Sequence, residues 1–378
     1  MSGLAAALII FCLGAVSVGA QDSSTLAAEC ERLAAAGNIA AARETVERLL
    51  ASRPAPAEAL LRAGQALGGV RQYDLAERAF RAVLDADPQS KEGSYNLGLT
   101  LYRAGRPNEA APYLERITKA VPRFFDAHFV LGASLQAAGR REAAVRALRG
   151  ALQLKPDHVG VLSLLGALYS ELGFPLDAVD SLKMAVAQQP KNVKAGLLLV
   201  AAYHDSFEFA QAAALAERLV AAAPESAELH ARLGYELQTA GNLDRAREEL
   251  ETAFRLDPQS LETRRMLGQV LLKSGDAGQA LPLLEAAASA GDAPARLDVA
   301  KALVALKRWE AADQTLAPLT AVEAAAPAAL LLHAQVLFRL GKPSESARLR
   351  ERYLKASEST RSLAGGMGRK PALRRFPD

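Results

Sequence analysis

The sequence predicts an all-α solenoid of about ten helix-turn-helix repeats, because three rows of residues share one period of 34 residues. An alanine row runs at this spacing from Ala42 to Ala280, and a proline row runs from Pro54 to Pro258, both without a break. A glycine row keeps the same spacing except at Val200. Its members are Gly64, Gly98, Gly132, Gly166, Gly234 and Gly268. Three independent rows with one period indicate that nearly the whole chain is one repeated unit.

Each row has a physical role in a pair of helices. Because glycine and alanine are small, the glycine row on the first helix and the alanine row on the second allow the helices to approach closely where they cross. Proline at the end of the unit has no amide donor and clashes with a continuing helix, so it ends the second helix. Further glycines fall in the turn between the two helices, where a positive φ costs glycine little. These are Gly105, Gly139, Gly173, Gly241, Gly275 and Gly341.

The repeats follow one another from residue 23 to about residue 360. We predict that they begin near residues 23, 57, 91, 125, 159, 193, 227, 261, 293 and 327. The eighth repeat is shorter than the others, because the stretch Lys307–Ala312 aligns with the earlier turns only if the ninth repeat begins at Ala293. Gly341 then falls in its expected turn, which supports this frame.

Residues 1–20 are predicted to be a signal peptide that is not part of the fold. The stretch from Leu4 to Val18 is an apolar run that is short for a membrane span, and the small residues of a cleavage site follow at Val18 to Ala20. Cleavage would place the protein in the periplasm or outside the cell. An uncleaved N-terminal membrane anchor and a cytosolic protein are the alternatives.

Residues 361–378 are predicted to be a basic disordered tail, because they contain glycine and proline and show no helical period. Five basic residues and one acidic residue give this tail a formal charge of +4, which leaves −1 for the rest of a chain whose total is +3. A nucleic-acid-binding groove would show a basic stripe, so we expect no nucleic acid in the solenoid. We expect membrane contact only if the N-terminal segment stays uncleaved, and the sequence leaves the oligomeric state open.

No group of residues predicts catalysis, a cofactor or a metal site. The five histidines are scattered, and no two of them lie three or four residues apart on one helix as metal ligands would. Cys30 stands where most repeats carry glycine or alanine, so we interpret it as a small buried packing residue and not as a reactive thiol. We therefore expect no catalytic residues, no cofactor and no metal.

The third unit, Lys91–Phe124, carries the residues that point to a family. Its core positions hold small and large residues in a fixed order: Leu97, Gly98, Leu101, Gly105, Ala110, Leu114, Ile117 and Pro122. Together with the period of the three rows, this order resembles the tetratricopeptide repeat. The resemblance covers residues 23 to about 360. It implies a right-handed superhelical solenoid whose first helices line a concave groove that binds an extended peptide or a helix of another protein.

The resemblance also implies which residues face this groove, because they lie on the first helices at positions not used for packing. In the third to fifth repeats they are apolar, with aromatic anchors: Tyr95, Asn96, Leu99, Tyr102, Phe129, Val130, Gln136, Ser163, Leu164 and Ser170. In the sixth to eighth repeats they are polar and basic: Leu198, His204, Arg232, Tyr235, Gln238, Arg265, Gln269 and Lys273. Aromatic rings beside side-chain amides suit peptide binding. The alternative is that Tyr95, Tyr102 and Phe129 only pack between successive first helices.

These features favour a non-enzymatic interaction scaffold that holds a peptide or helical segment of a partner protein in its groove. With the predicted export, we expect the partner to serve cell-envelope, secretion or polysaccharide-assembly processes. Two alternatives stay open: an accessory subunit of an enzyme complex, for example one with a glycosyltransferase, and a membrane-tethered assembly factor.

Overall fold

The computed structural model describes residues 23–52, 56–364 and 375–377. Across these ranges the chain forms twenty helices and no strand. The first helix, α1, covers residues 23–35. The others are α2 (Ile39–Ala51), α3 (Ala57–Gly69), α4 (Tyr73–Ala86), α5 (Lys91–Arg103), α6 (Pro107–Ala120), α7 (Phe125–Ala137), α8 (Arg141–Leu154), α9 (Val159–Glu171), α10 (Pro175–Gln188), α11 (Val193–Asp205), α12 (Phe209–Ala222), α13 (Ala227–Thr239), α14 (Leu243–Leu256), α15 (Leu261–Lys273), α16 (Ala277–Ser289), α17 (Ala295–Ala305), α18 (Trp309–Ala321), α19 (Pro327–Arg339) and α20 (Pro343–Ala364). The predicted all-α fold of helix-turn-helix repeats is confirmed.

Along the chain, the helices alternate as the first and second helices of the repeats, from α1 and α2 to α19 and α20. They fall into two compact units, the first ending at Leu168 and the second beginning at Tyr169. Within each unit, a helix packs mainly against the helices that precede and follow it in the chain. Packing of this kind makes the stability of each unit a sum of repeats and of interfaces between neighbours.

Several connections between repeats combine a proline with a side-chain cap. The tetrapeptide Asp87–Ser90 and its copy five repeats later, Asp257–Ser260, make the same hydrogen bonds. In each, the aspartate Oδ1 accepts from the backbone N–H two residues further on, at 3.0 Å. The serine Oγ accepts from the N–H of the third residue in the next helix, at 3.0 Å from Gly93 and 3.2 Å from Thr263. Proline thus ends one helix, and the cap satisfies a backbone donor that the next helix leaves open.

The turn inside each repeat contains one residue with positive φ. In seven of the described repeats this residue is glycine: Gly37, Gly105, Gly139, Gly173, Gly241, Gly275 and Gly341. In the second, sixth and ninth repeats it is Arg71, Phe207 and Lys307, with φ of 62°, 63° and 59°. The left-handed conformation is therefore required by the turn itself, and glycine is its easiest occupant. In the shifted frame predicted from the sequence, Lys307 takes the turn position that Gly341 takes in the next repeat.

The ninth repeat nevertheless begins later than predicted. Its first helix starts at Ala295 and not at Ala293, and with 11 residues it is the shortest of the described helices. Pro294 takes the N-cap position. Because a residue before proline is disfavoured in the helical conformation, the helix does not extend back to Ala293. The tenth repeat starts at Pro327, as predicted.

The glycine row marks the closest approach of the two helices of a repeat. A Cβ added at Gly132 would lie 2.6 Å from Leu148 Cδ2, and one added at Gly98 would lie 2.8 Å from Leu114 Cγ. Carbon atoms prefer separations of about 3.5 to 4.0 Å, so neither position has room for a side chain. The predicted role of these glycines in close helix packing is confirmed.

The sixth repeat keeps the same interface with the residue sizes exchanged. Val200 stands in the glycine position, and Ala216 stands where the fourth repeat has Leu148. Both residues are buried. The equivalent positions of the sixth repeat therefore still carry one large and one small residue, and exchanges that conserve volume are the ones a core tolerates best.

The two ends of the chain depart from the prediction in different ways. The predicted signal peptide at residues 1–20 lies outside the described residues. At the other end, α20 continues to Ala364, because no glycine or proline interrupts the chain between Pro343 and Gly365, so the predicted boundary at residue 360 is too early. Residues 365–374 of the predicted tail also lie outside the described residues. Within the described part of the chain, no helix combines the length and the apolar character needed to cross a membrane.

Cys30 is buried in α1, as predicted. Its Sγ lies 3.8 Å from the carbonyl oxygen of Ala42 on α2, where the two helices meet. Burial, with a smaller contribution from the neighbouring Glu31 carboxylate, raises the pKa of the Cys30 thiol to about 11.

We expect the folded protein to resist an aromatic disulfide reagent at about pH 8. The thiolate is the reacting form, and with this pKa only roughly a thousandth of the Cys30 thiol is ionised at that pH. Unfolding in guanidinium removes the burial and should make the thiol react within minutes. The release of the coloured thiol measures both rates, and the Cys30→Ser variant supplies the background. Equal rates in folded and unfolded protein would contradict the prediction.

Candidate partner-binding site

The aromatic residues predicted for the third and fourth repeats are engaged by their neighbours. The ring centroid of Tyr95 lies 4.7 Å from that of Phe124, and burial raises the pKa of Tyr95. Phe129 lies 6.0 Å from Phe125 in a nearly parallel orientation and 5.4 Å from His158. For these two rings the structure favours the alternative in which they pack between helices.

Two of the predicted groove residues are not on the surface. Val130 and Gln238 are each only 8 % exposed, because they lie on the faces of α7 and α13 that contact neighbouring helices. Their assignment to an open groove is corrected. Spacing along one helix could not reveal this, since exposure at these positions depends on the side chains that neighbouring helices place over them.

The other predicted residues of the third to fifth repeats keep part of their surface. Asn96 and Leu99 line a small cavity of about 180 Å³ together with Gln65 and Arg103, between α3 and α5. The Asn96 side-chain amide donates to the carbonyl oxygen of Glu92 on its own helix. The remaining members are half-buried: Tyr102, Gln136, Ser163, Leu164 and Ser170. A cavity of this size holds little more than one side chain, so it does not form a peptide site by itself.

The predicted residues of the sixth to eighth repeats converge on one larger cavity, which we call the main cavity. It has a volume of about 770 Å³ and is lined by residues of the first helices α11, α13 and α15 and of the connection that precedes α15. Five predicted residues line it: His204, Arg232, Tyr235, Arg265 and Gln269. The side chains of Leu197 and Met266 add apolar surface. A volume of several hundred Å³ with a few convergent polar groups is typical of ligand sites.

A buried carboxylate organises the polar groups beside the main cavity. Glu236 is 0 % exposed, and its Oε2 lies 2.9 Å from His204 Nδ1 while its Oε1 lies 2.7 Å from Arg232 Nη2. The Tyr235 hydroxyl lies 3.4 Å from His204 Nε2, and the two rings lie 5.1 Å apart. Among the described residues, neither Glu236 Oε1 nor Arg232 Nε has a hydrogen-bond partner of good geometry. Glu236 was not predicted, although its spacing of four residues from Arg232 on one helix was a usable signal.

The eighth repeat contributes side chains that are held by aspartates in α17 and in the connection before it. Arg265 Nε donates to Asp292 Oδ2 at 2.9 Å, and Gln269 Nε2 donates to Asp298 Oδ2 at 2.6 Å. Asp298 is buried and also pairs with Lys301 at 2.7 Å. These bonds fix the orientation of the two cavity residues in advance, which reduces the entropy lost when a ligand binds.

The charge of the main cavity differs from the predicted basic character. Both arginines that line it are already paired with carboxylates. Four exposed acidic residues line the cavity as well: Asp205, Glu228, Asp257 and Glu262. With two arginines against four carboxylates, the lining has a formal charge of −2 with His204 neutral. The prediction of a basic site is corrected, because the carboxylates come from helix ends and connections outside the positions predicted to face the groove.

The buried histidines outside the cavity bind to carboxylates of neighbouring helices. His230 Nδ1 lies 2.6 Å from Glu249 Oε2, and His333 Nε2 lies 2.7 Å from Asp313 Oδ1. Burial acts to raise the pKa of Asp313, but hydrogen bonds from His333 and Lys342 hold it below its usual value. Across the described residues, no three His, Cys, Asp or Glu side chains are placed together to hold a metal ion.

Comparison with protein families gives one consistent match. A family model described as tetratricopeptide repeat matches residues 31–89, 61–123, 95–159, 129–193 and 231–295. A second model with the same description matches residues 271–336. Together they cover more than half of the chain, including most of the seventh and eighth repeats, which contribute two of the three helices of the main cavity. No curated protein matches the chain.

Solved structures that match the chain do so at low sequence identity. A tetratricopeptide repeat protein from Parabacteroides merdae is 17 % identical, with a TM-score of 0.48, over 65 % of this chain and 98 % of that chain. MamA from Desulfovibrio magneticus RS-1, from residue 41 to its end, is 22 % identical, with a TM-score of 0.43, over 45 % and 96 %. YrrB, a TPR protein with an unusual peptide-binding site, is 16 % identical, with a TM-score of 0.46, over 50 % and 96 %. At these sequence identities and TM-scores, the partner of a similar protein cannot be assigned to this chain.

Proposed function

Since the chain belongs to the tetratricopeptide repeat family, we propose that it is a non-enzymatic protein-interaction scaffold that holds a partner segment in the main cavity. The observation that carries this proposal is the convergence of five predicted side chains from three consecutive repeats on one cavity of about 770 Å³. An extended peptide or one face of a helix is the kind of ligand that can lie along a row of first helices and contact several of them.

The chemistry of the cavity supports a specific kind of segment. Tyr235 offers an aromatic ring, and the Arg232 guanidinium lies 5.6 Å from its centroid. Such a surface buries apolar or aromatic side chains at a small cost in conformational entropy. The exposed carboxylates around it favour a segment that carries basic side chains. We therefore propose that the partner segment combines an apolar or aromatic residue with at least one lysine or arginine.

The cellular setting is a proposal that rests on the sequence of residues 1–20. The apolar run and the small residues before Gln21 support export to the periplasm or the outside of the cell. The partner would then serve an envelope, secretion or polysaccharide-assembly process. The mass of the N-terminal peptide from native cells tests this step. A chain that starts at Gln21 would support export. An intact Met1 would instead favour a membrane-tethered or a cytosolic protein.

A site-specific crosslink tests whether the main cavity binds a partner. A photoreactive amino acid at Glu262, an exposed residue of the cavity, should capture a partner in native cells, and mass spectrometry should identify the crosslinked segment. The same amino acid at Glu285, exposed on α16 and outside the lining, is the control position. Adding the Tyr235→Ala change should greatly reduce the crosslink at residue 262. Equal capture at both positions would contradict the cavity as the site.

The charge of the cavity makes a second prediction for the identified partner. The double variant Glu228→Lys with Glu262→Lys should slow association by about tenfold at low salt, because it removes the attraction for a basic segment. The difference should shrink as the salt concentration rises. The control is Glu285→Lys with Glu310→Lys, which makes the same change in net charge away from the cavity. An equal decrease of the association rate in both double variants would mean that the cavity carboxylates do not attract the partner more than other surface carboxylates do.

A further inference from the structure

The C-terminal residues Arg375–Pro377 lie against the fifth repeat, nearly 200 residues away in sequence. The ring of Phe376 contacts two aromatic rings there, with centroids 5.6 Å from that of Tyr169 and 5.2 Å from that of Phe174. The contact with Phe174 is nearly perpendicular, at 79°, an arrangement that aromatic pairs prefer. This aromatic contact corrects the prediction of a tail that is disordered to its end.

Polar contacts fix the same segment. The backbone N–H of Phe376 donates to Asp177 Oδ2 at 2.9 Å, and Arg375 Nη1 donates to Asp180 Oδ2 at 2.7 Å and to Asp177 Oδ1 at 3.3 Å. Asp177 is partly buried and binds both the backbone and the guanidinium. The pair between Arg375 and Asp180 is exposed on both sides, so it contributes little energy and mainly orients the segment. Phe376 and Asp177 therefore make the principal contacts.

The fifth repeat differs from the others at the positions that make these contacts. Phe174 precedes α10 directly, and the nine residues that occupy the same position in the other repeats are all polar: Asn38, Gln72, Arg106, Arg140, Glu208, Asn242, Asp276, Arg308 and Lys342. The fifth repeat is also the one in which both helix positions, 177 and 180, hold aspartate. Two aromatic rings beside two carboxylates form a pocket for an arginine followed by an aromatic residue.

We propose that the turn of the fifth repeat is a binding site for an arginine–aromatic segment and that the protein's own Arg375 and Phe376 occupy it as an intramolecular latch. This inference does not depend on the main cavity. The eleven residue steps from Ala364 to Arg375 span at most about 36 to 40 Å, a short tether. Because the segment and the site belong to one chain, their contact is intramolecular, so a weak contact stays closed unless a competing segment is abundant.

The test uses a labelled peptide of residues 365–378 and the full-length chain. Fluorescence anisotropy should show that the peptide binds the Phe376→Ala chain, whose own segment no longer fills the site, at least about tenfold more tightly than the wild-type chain. A peptide that itself carries Phe376→Ala should not bind. Adding Asp177→Asn and Asp180→Asn to the Phe376→Ala chain should abolish binding, whereas Glu248→Gln, at the equivalent of position 180 in the seventh repeat, should leave it unchanged.

Three results would overturn the latch. Equal peptide affinity for the wild-type and Phe376→Ala chains would mean that the segment does not occupy the site in solution. The absence of binding to the Phe376→Ala chain, with its melting curve unchanged, would mean that the fifth repeat has no such site. Sedimentation should show the same monomer for both chains. A wild-type dimer that dissociates on the Phe376→Ala change would mean that the segment binds a second copy.

Discussion

Removing the Arg232 guanidinium with Arg232→Met should lower the free energy of unfolding by roughly 3 kcal/mol. Arg232 pairs with Glu236, which is fully buried and would keep only His204 as a partner. Without the guanidinium, no cation offsets the desolvation of the buried Glu236 carboxylate, and breaking a buried ion pair in this way typically costs about 3 to 5 kcal/mol. We expect a loss near the lower value because the Arg232 side chain is 27 % exposed. Urea unfolding followed by circular dichroism measures the loss.

The exposed pair of Arg245 and Glu217 supplies a matched control. Its atoms lie 2.7 Å apart, the same distance as between Arg232 and Glu236, but the Arg245 side chain is 47 % exposed. Arg245→Met should therefore cost less than about 1 kcal/mol. Combining Arg232→Met with Glu236→Gln should recover much of the stability, because the buried charge is then gone. If both arginine variants lost the same free energy of unfolding, the burial of Glu236 would not be the cause of the loss in Arg232→Met.

Replacing Gly132 with valine should lower the free energy of unfolding by about 1 to 3 kcal/mol. The added Cβ would lie 2.6 Å from Leu148 Cδ2, so α7 and α8 must separate or the leucine must leave its rotamer. Gly278→Val is the control, since a Cβ at that helical position has no atom within 4 Å apart from its own helix and chain neighbours. It should change stability little. A normal melting curve for the Gly132→Val variant would contradict the close approach of the helices.

The sixth repeat indicates how the Gly132→Val variant can be rescued. Leu148→Ala alone should cost about 2 to 5 kcal/mol, as expected for a buried leucine. The double variant reproduces the arrangement of Val200 and Ala216, so its loss should be smaller than the sum of the single losses by about 0.5 to 3 kcal/mol. Strict additivity in the thermodynamic cycle would mean that residues 132 and 148 do not share one space.

The candidate site could be predicted in part, because its members repeat with the fold. His204, Tyr235 and Gln269 were chosen by their positions on successive first helices, and those positions do line one cavity. The spacing did not reveal that Glu236 is buried beside His204 and Arg232 or that carboxylates from helix ends make the lining acidic. Those properties depend on contacts between residues of different repeats, and a pattern of small and large residues does not contain them.

The sequence by itself determined the repeated unit, because packing within a repeat is local and recurs with a fixed period. It thereby placed the helix pairs and the turns between them, where the structure has residues with positive φ. Only the tertiary structure decided the burial of Val130 and Gln238 and the docking of Phe376 on the fifth repeat. Each of these depends on which side chains meet in space, and residues that are far apart in the chain meet without leaving a period in the sequence.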